Sequence, residues 1–352
     1  MGYLKLEENH SPHPRRWWHL PLLLLLIAGV CYIIFERYGS SDLSRGKWQR
    51  MEGSIFGTVY HIMYHSDKDL SDSIHSTMDK VDKSLSTFNS ESSISQINNN
   101  STTRADSMLL HVIVRSLEIS DKTGGCFDIT VAPLVNAWGF GFKNSANVDS
   151  AMIDSLLDFV GMDKLHIEGS EVKKSDPRLM LDCNAIAKGY GVDAVGRYLE
   201  SNGVLDYMVE IGGEVRVRGK NPSSDRWRIG INEPVDDSLS LDTGIENVLN
   251  LSDISMATSG NYRNYYIKDD KKYAHTIDPH TGYPVQHSIL SSTVISSDCM
   301  TADAYATAFM VMGLDRAKEI LRNDSTLKAY FIYSDIDGNN KTWHSDGLLL
   351  DH

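Results

Sequence analysis

Asp303 and Thr307 stand four residues apart in Met300-Thr301-Ala302-Asp303-Ala304-Tyr305-Ala306-Thr307, a run of small residues that favours helix. Positions i and i+4 stack on one helical face, so a carboxylate and a hydroxyl would point the same way. An oxygen-only pair suits Mg²⁺, which takes few protein ligands and completes its shell with water and phosphate. The competing reading is local: Thr307 bonding back to a helix carbonyl and Asp303 capping the helix. Upstream lies a turn-rich stretch, Tyr273 to Pro284, that contains His275. Its imidazole would titrate near neutral pH and suit a general base, or it is a plain surface residue.

A second chemical tract runs from Leu181 through Asp182, Ala185 and Lys188 to Gly191 and joins a strand end to a helix start. Such a junction offers unpaired N–H groups and a positive dipole end, which suit phosphate. The alternative is that Asp182 or Asn184 only caps the helix and Lys188 is a solvated charge. Glu210-Ile211-Gly212-Gly213-Glu214 reads either as a tight hairpin turn or as close backbone approach to a planar ligand. Met256 to Tyr262 is open in the same way, a turn or a second close backbone approach. P-loop, nucleophile-elbow and HExxH patterns are absent, which removes support for those enzyme classes.

Positioning these tracts requires helices and strands in alternating clusters. Periodicity and turn residues predict a strand around Ile55–Tyr64 and helices over Ser71–Leu85, Ser107–Thr123 and Val148–Val160. A hairpin is expected at Lys164–Ile167 with Glu171–Lys173, then a helix over Ala185–Asn202. Strands are expected at Tyr207–Ile211, Glu214–Arg218, Trp227–Ile231, Ile254–Thr258, Asn264–Lys268 and Ser291–Ser296. Helices Thr301–Met312 and Asp315–Asn323 and a strand Leu327–Tyr333 close the pattern. Asn98 to Thr103 reads as a surface loop. The clustering of strands points to an α+β fold, a mixed or antiparallel sheet core with flanking helices.

Residues 17–35 are almost all apolar, with Arg15 and Arg16 before them and Glu36 and Arg37 after. Bulky residues at the end of the run disfavour a cleaved signal, and the length meets the roughly 17–25 residues of a membrane span. The basic pair implies an N-in, C-out orientation. A single transmembrane anchor is the expectation, with lipidation at Cys31 as the alternative. Domains follow as residues 1–38 for the cytoplasmic stub and anchor, 39–50 for a linker, and 51–352 for the folded domain. The net charge of −13 and the lack of a basic block after residue 50 argue against nucleic acid as a partner. Cys126, Cys183 and Cys299 imply no disulfide framework and read as small buried residues.

Six segments in order resemble the ApbE-type flavin transferases, the FAD:protein FMN transferases, over about residues 51–335. They are Ser86-Thr87-Phe88-Asn89 with Ser92 to Asn98, Gly125 to Gly141, Asp182 to Gly191, Gly212-Gly213-Glu214, His275 to Pro284, and Thr301 to Thr307. The resemblance implies Mg²⁺ held by Asp303, Thr307 and the carbonyl of Ala185. It implies FAD contacts at Phe56, Phe127, Asp128, Asp182, Lys188 and Ile277, with FAD between subdomains, and His275 as the base. It further implies transfer of FMN to a Thr or Ser hydroxyl of an acceptor protein, with release of AMP. The acceptor would be a subunit of a membrane redox complex, and the setting the periplasmic face of a bacterial inner membrane. Cys183-Asn184 departs from the family's apolar-Gly pair, Gly191 from its commoner Ala, and Cys126 lies beside the expected flavin contacts.

Overall fold

Residues 46–141, 148–233, 244–260, 265–268, 271–274, 276–286, 288–348 and 350 are described by the structure, a computed structural model. The first strand, β1 (Lys47–Ile55), turns through Phe56-Gly57 into β2 (Thr58–Ser66). Both turn residues have positive φ, 52° and 72°, the two-residue geometry whose twist matches the flanking strands. The single strand expected around Ile55–Tyr64 is therefore a hairpin. Phenylalanine at the first turn position carries none of the usual Asn or Gly signal. Five helices follow: α1 (Ser71–Leu85), α2 (Ser93–Asn98), α3 (Ser107–Lys122), α4 (Ala132–Ala137) and α5 (Ser150–Leu157). The small hairpin β3 (Leu165–Glu168) and β4 (Glu171–Lys174) precedes α6 (Asn184–Ser201).

Strands β5 (Tyr207–Ile211), β6 (Glu214–Arg218), β7 (Trp227–Asn232), β8 (Ile245–Leu251) and β9 (Ile254–Gly260) come next. They are followed by β10 (Tyr265–Lys268), β11 (Lys271–Ala274) and β12 (Ile289–Ser296). Helices α7 (Cys299–Met312) and α8 (Leu314–Asn323) lead to β13 (Lys328–Ser334) and β14 (Asn340–His344). The main sheet has eight strands in the order β1-β2-β5-β6-β9-β12-β13-β14. From β2 to β14 each neighbouring pair is antiparallel, so the α+β expectation holds in its antiparallel form. Met256 to Gly260 lies within β9 rather than in a turn, because both β6 and β12 pair with that strand.

Period-two alternation sorts the two sheet faces. Val215, Val217, Met256, Ile295, Tyr330 and Ile332 pack against Trp227, Ile231 and Leu249 of the β7–β8 hairpin. Ala257, Val294, Ala329 and Phe331 face the other way and join the helical core with Tyr305 and Phe309. Helix α7 is apolar on every side, and all its residues except Thr307 are buried. A helix of that composition belongs inside a protein. It lies on β9 and β12 and runs beside α6.

Asn98 departs from the loop expectation. It ends α2, is buried, and clamps Leu181 by accepting from its N–H (2.7 Å) and donating to its carbonyl (2.9 Å). Strand β1 begins at Lys47, inside the expected linker of residues 39–50. The anchor expected over residues 17–35 falls outside the described residues. Among the described residues no helix is long and apolar enough to cross a membrane. Cys126, Cys183 and Cys299 are buried free thiols, as their small apolar character suggests.

Candidate active site

Helices α6 and α7 approach closely because Gly189 has no side chain. A Cβ at Gly189 would stand 2.4 Å from the Cys299 carbonyl oxygen and 2.9 Å from Asp303 Cβ. The close contact lets the Gly189 N–H donate to Asp303 Oδ2 at 3.0 Å. In a regular helix that same N–H serves the carbonyl of Ala185, four residues earlier. The carboxylate of Asp303 is thus brought to the turn of α6 that begins at Ala185. Helix α7 starts before Asp303 and takes its cap from Asp298, whose Oδ1 accepts the Thr301 N–H at 2.9 Å. Thr307 Oγ1 pairs with Ser259 Oγ at 3.0 Å, so neither local reading of this pair applies.

A cavity of about 800 Å³ opens beside these groups. Its lining includes the polar Lys188, Glu214, Asp303 and Thr307 with Ala185, and the apolar Phe127, Ile129, Val131, Val135, Phe140 and Ile277. Lys188 Nζ lies 3.0 Å from Glu214 Oε1 and 3.8 Å from Asp303 Oδ1. Burial opposes its charge, yet Asp303 and Glu214 outweigh burial and hold the ammonium above the usual lysine range. Burial raises the Asp303 carboxyl, with Lys188 and the Gly189 N–H pulling it back. Burial pushes Glu214 up to about 8, against the attraction of Lys188. Glu214 Oε2 is buried and lacks a hydrogen-bond partner among the described residues. A buried acceptor left in that state favours a donor brought by a ligand.

The expected flavin-site residues divide between the cavity and its supports. Phe127, Asp128, Asp182, Lys188 and Ile277 line the cavity, as do the expected metal-site residues Ala185, Asp303 and Thr307. Asp128 Oδ1 accepts from the N–H and hydroxyl of Thr130, both at 2.6 Å, and burial raises its carboxyl. Asp182 Oδ1 accepts the Asn184 N–H at 2.8 Å, so it both steadies the start of α6 and faces the cavity. Gly212 and Gly213, with φ of 65° and 101°, form the β5–β6 turn and also line the cavity. The tight hairpin turn expected there is therefore what the backbone forms.

Phe56 is not among the residues that line the cavity. The β1–β2 turn carries its ring onto α6 at Gly191, where an added Cβ would meet Phe56 Cε2 at 2.6 Å. His275 lies outside the described residues. Thr276 and Ile277 line the cavity, and Trp138 Nε1 steadies their loop by donating to the Gly282 carbonyl at 2.8 Å. Sequence reasoning missed Glu214 as a cavity carboxylate. The signal for it is the alternation Glu-Val-Arg-Val-Arg in β6, which puts three charges on one strand face.

The sequence profile of the ApbE family matches residues 56–331. A Vibrio cholerae protein named FAD:protein FMN transferase is 38% identical over 318 residues, covering 87% of this chain and 90% of its own. A Haemophilus influenzae protein of the same name is 32% identical over 324 residues, covering 87% of this chain and 92% of its own. The solved structure of flavin transferase ApbE from Vibrio cholerae matches with a TM-score of 0.77 at 34% identity, covering 85% of this chain and 97% of that one. With a family profile that runs from before β2 to beyond α8 and takes in α6, α7 and the residues that line the cavity, this chain belongs to the ApbE family.

Proposed function

We propose that this chain is a Mg²⁺-dependent FAD:protein FMN transferase. It joins FMN through a phosphoester to a Thr or Ser hydroxyl of an acceptor protein and releases AMP. The observation that carries this reading is the mixed lining of a single cavity, where oxygen donors and a lysine stand together with aromatic and aliphatic side chains. FAD matches that lining with a charged diphosphate and a planar ring. The family relatives named for this activity support the same conclusion.

The donor chemistry fits a hard cation. Asp303, Thr307 and Ala185 offer a carboxylate, a hydroxyl and a carbonyl, all oxygen and all on the cavity. Among the described residues no group of three or more His, Cys, Asp or Glu could hold a metal, so a soft-ligand transition-metal centre has no donor set there. Mg²⁺ held at this trio would neutralise charge on the diphosphate and leave coordination positions for phosphate oxygens.

The chain's own residues supply the rest. Lys188 contributes a fixed cation beside the positive end of α6, whose first amide, that of Asn184, is held by Asp182 Oδ1. The Gly189 N–H pins one oxygen of Asp303 and so orients the other. Phe127 and Ile277 give the ring an apolar surface, while Asp128 and Asp182 stand at the cavity wall as acceptors. His275 is assigned as the base that takes the acceptor hydroxyl's proton. The new P–O bond forms at the FMN-side phosphorus as the bond to AMP breaks. The apolar run over residues 17–35 behind Arg15 and Arg16 supports a single-pass anchor in a bacterial inner membrane, with the catalytic body in the periplasm. A membrane redox subunit is the acceptor that this placement favours.

The test is incubation of the full chain with FAD, Mg²⁺ and a candidate acceptor. Flavin fluorescence that stays with the acceptor after denaturation supports the transferase. AMP and free FMN with no labelled acceptor would make the chain a pyrophosphatase instead.

A further inference from the structure

We infer that Asp193 and Arg216 form a positioning lock that sets the geometry of the metal ligands from outside the cavity. The inference rests on the reading of Asp303, Thr307 and Ala185 as those ligands. Ala185, Gly189 and Asp193 recur at four-residue intervals on α6, so they form one stripe about 12 Å long. Gly189 and Asp193 of that stripe both bond to α7. Gly189 touches Asp303, and Asp193 grips the start of the helix one turn away. Asp193 Oδ1 accepts the Cys299 N–H at 3.0 Å, and its Oδ2 accepts the Met300 N–H at 2.9 Å. With Asp298 holding Thr301, the first three amides of α7 end on carboxylates. These amides have no partner within their own helix, so side chains that take them fix where the helix begins.

Asp193 is itself fixed to the sheet. Arg216 Nη1 donates to Asp193 Oδ1 at 2.8 Å, its Nη2 to Glu200 Oε1 at 2.9 Å, and its Nε to Tyr207 Oη at 2.9 Å. Arg216 shares its strand face with Glu214 and Arg218, and the three meet Lys188, Asp193 and Glu200 of α6 in turn. This ladder ties α6 to β6, and Asp193 passes the tie on to α7. A slide of α7 along α6 would carry Asp303 and Thr307 away from the Ala185 carbonyl. Asp193 holds that register without touching metal or substrate, which makes it a positioning residue.

Binding of Mn²⁺ alone to the full chain, read from the electron paramagnetic resonance of free Mn²⁺, tests the lock. Asp303→Ala should abolish the site. Asp193→Asn places an amide donor among backbone donors and should weaken Mn²⁺ by about tenfold, the low end of what outer partners of metal ligands contribute. Arg216→Lys keeps the charge but not the three-way grip, and should weaken Mn²⁺ less while melting close to the native chain; it decides the matter if Asp193→Asn does not fold. Native Mn²⁺ affinity in both variants, whatever happens to the melting temperature, would show a purely structural pair and overturn the lock. Native affinity in Asp303→Ala would overturn the metal reading itself, and the lock with it.

Discussion

Gly189→Ala is the sharpest probe of how the two helices create the side of the cavity proposed to hold Mg²⁺. The added Cβ would stand 2.4 Å from the Cys299 carbonyl oxygen, about 0.9 Å inside an ordinary C···O contact of about 3.3 Å. Replacing a helical glycine by alanine stabilises by roughly 0.5–1 kcal/mol. Overpacking a close contact costs about 1–3 kcal/mol, and here the obstacle is backbone, which yields less than a side-chain tip. The clash wins, with a net loss of about 1–2 kcal/mol and a melting temperature lower by about 2–5 °C. The same retreat of α7 would stretch the 3.0 Å bond from the Gly189 N–H to Asp303. AMP release titrated with Mg²⁺ should therefore show half-saturation raised at least about tenfold. Gly53→Ala is the control, because its Cβ would meet Tyr60 Oη at 2.8 Å, away from the cavity. It should lose stability and keep the native Mg²⁺ response. A Gly189→Ala enzyme with native melting and native Mg²⁺ dependence would refute the close approach as the determinant of the site.

Asp303→Ala should stop AMP release while FAD binding, followed by quenching of flavin fluorescence, survives; undiminished turnover in excess Mg²⁺ would remove its metal role. Glu214 titrates near 8 in the folded chain because of burial, against about 4.3 unfolded. The folded state thus binds this proton more tightly, and its contribution to stability is whole below about 4.3 and lost as pH rises through about 8. Glu214→Gln should flatten part of the fall in melting temperature across that window, and an unchanged slope would count against the assignment. His275→Ala should slow transfer and alter the pH–rate profile while Mn²⁺ still binds; a native rate across the pH series excludes it as the base. Intact mass of the purified chain should show Cys31 without acyl groups, and a lipidated mass would replace the anchor with a lipoprotein.

The legible parts of the fold are those whose periodicity carries their burial. Helix α1 and strands β5 and β6 occupy the residues predicted for them, because apolar spacing and bounding turn residues agree there. Strand β14, Asn-Lys-Thr-Trp-His, is too polar and exposed to announce itself. Asp303 and Thr307 are legible because one helix sets their relation. Asn98 is not: among neighbouring polar residues it looks like loop, and only Leu181, distant in sequence, reveals its purpose. The charges of β6 read as a solvent face until α6 supplies partners for each, and no local pattern specifies that docking.

Because α7 is buried along its whole length apart from Thr307, the site has two very different depths of stability. Backbone amides of α7 should exchange with solvent only through near-global opening, while those of the exposed turns that rim the molecule should exchange through small local openings. The cavity-facing residues of α7, Asp303 and Thr307, then inherit the lifetime of the folded state itself. A chain that has lost this site by local melting would have lost its core as well, so partly unfolded molecules would carry no residual transferase activity.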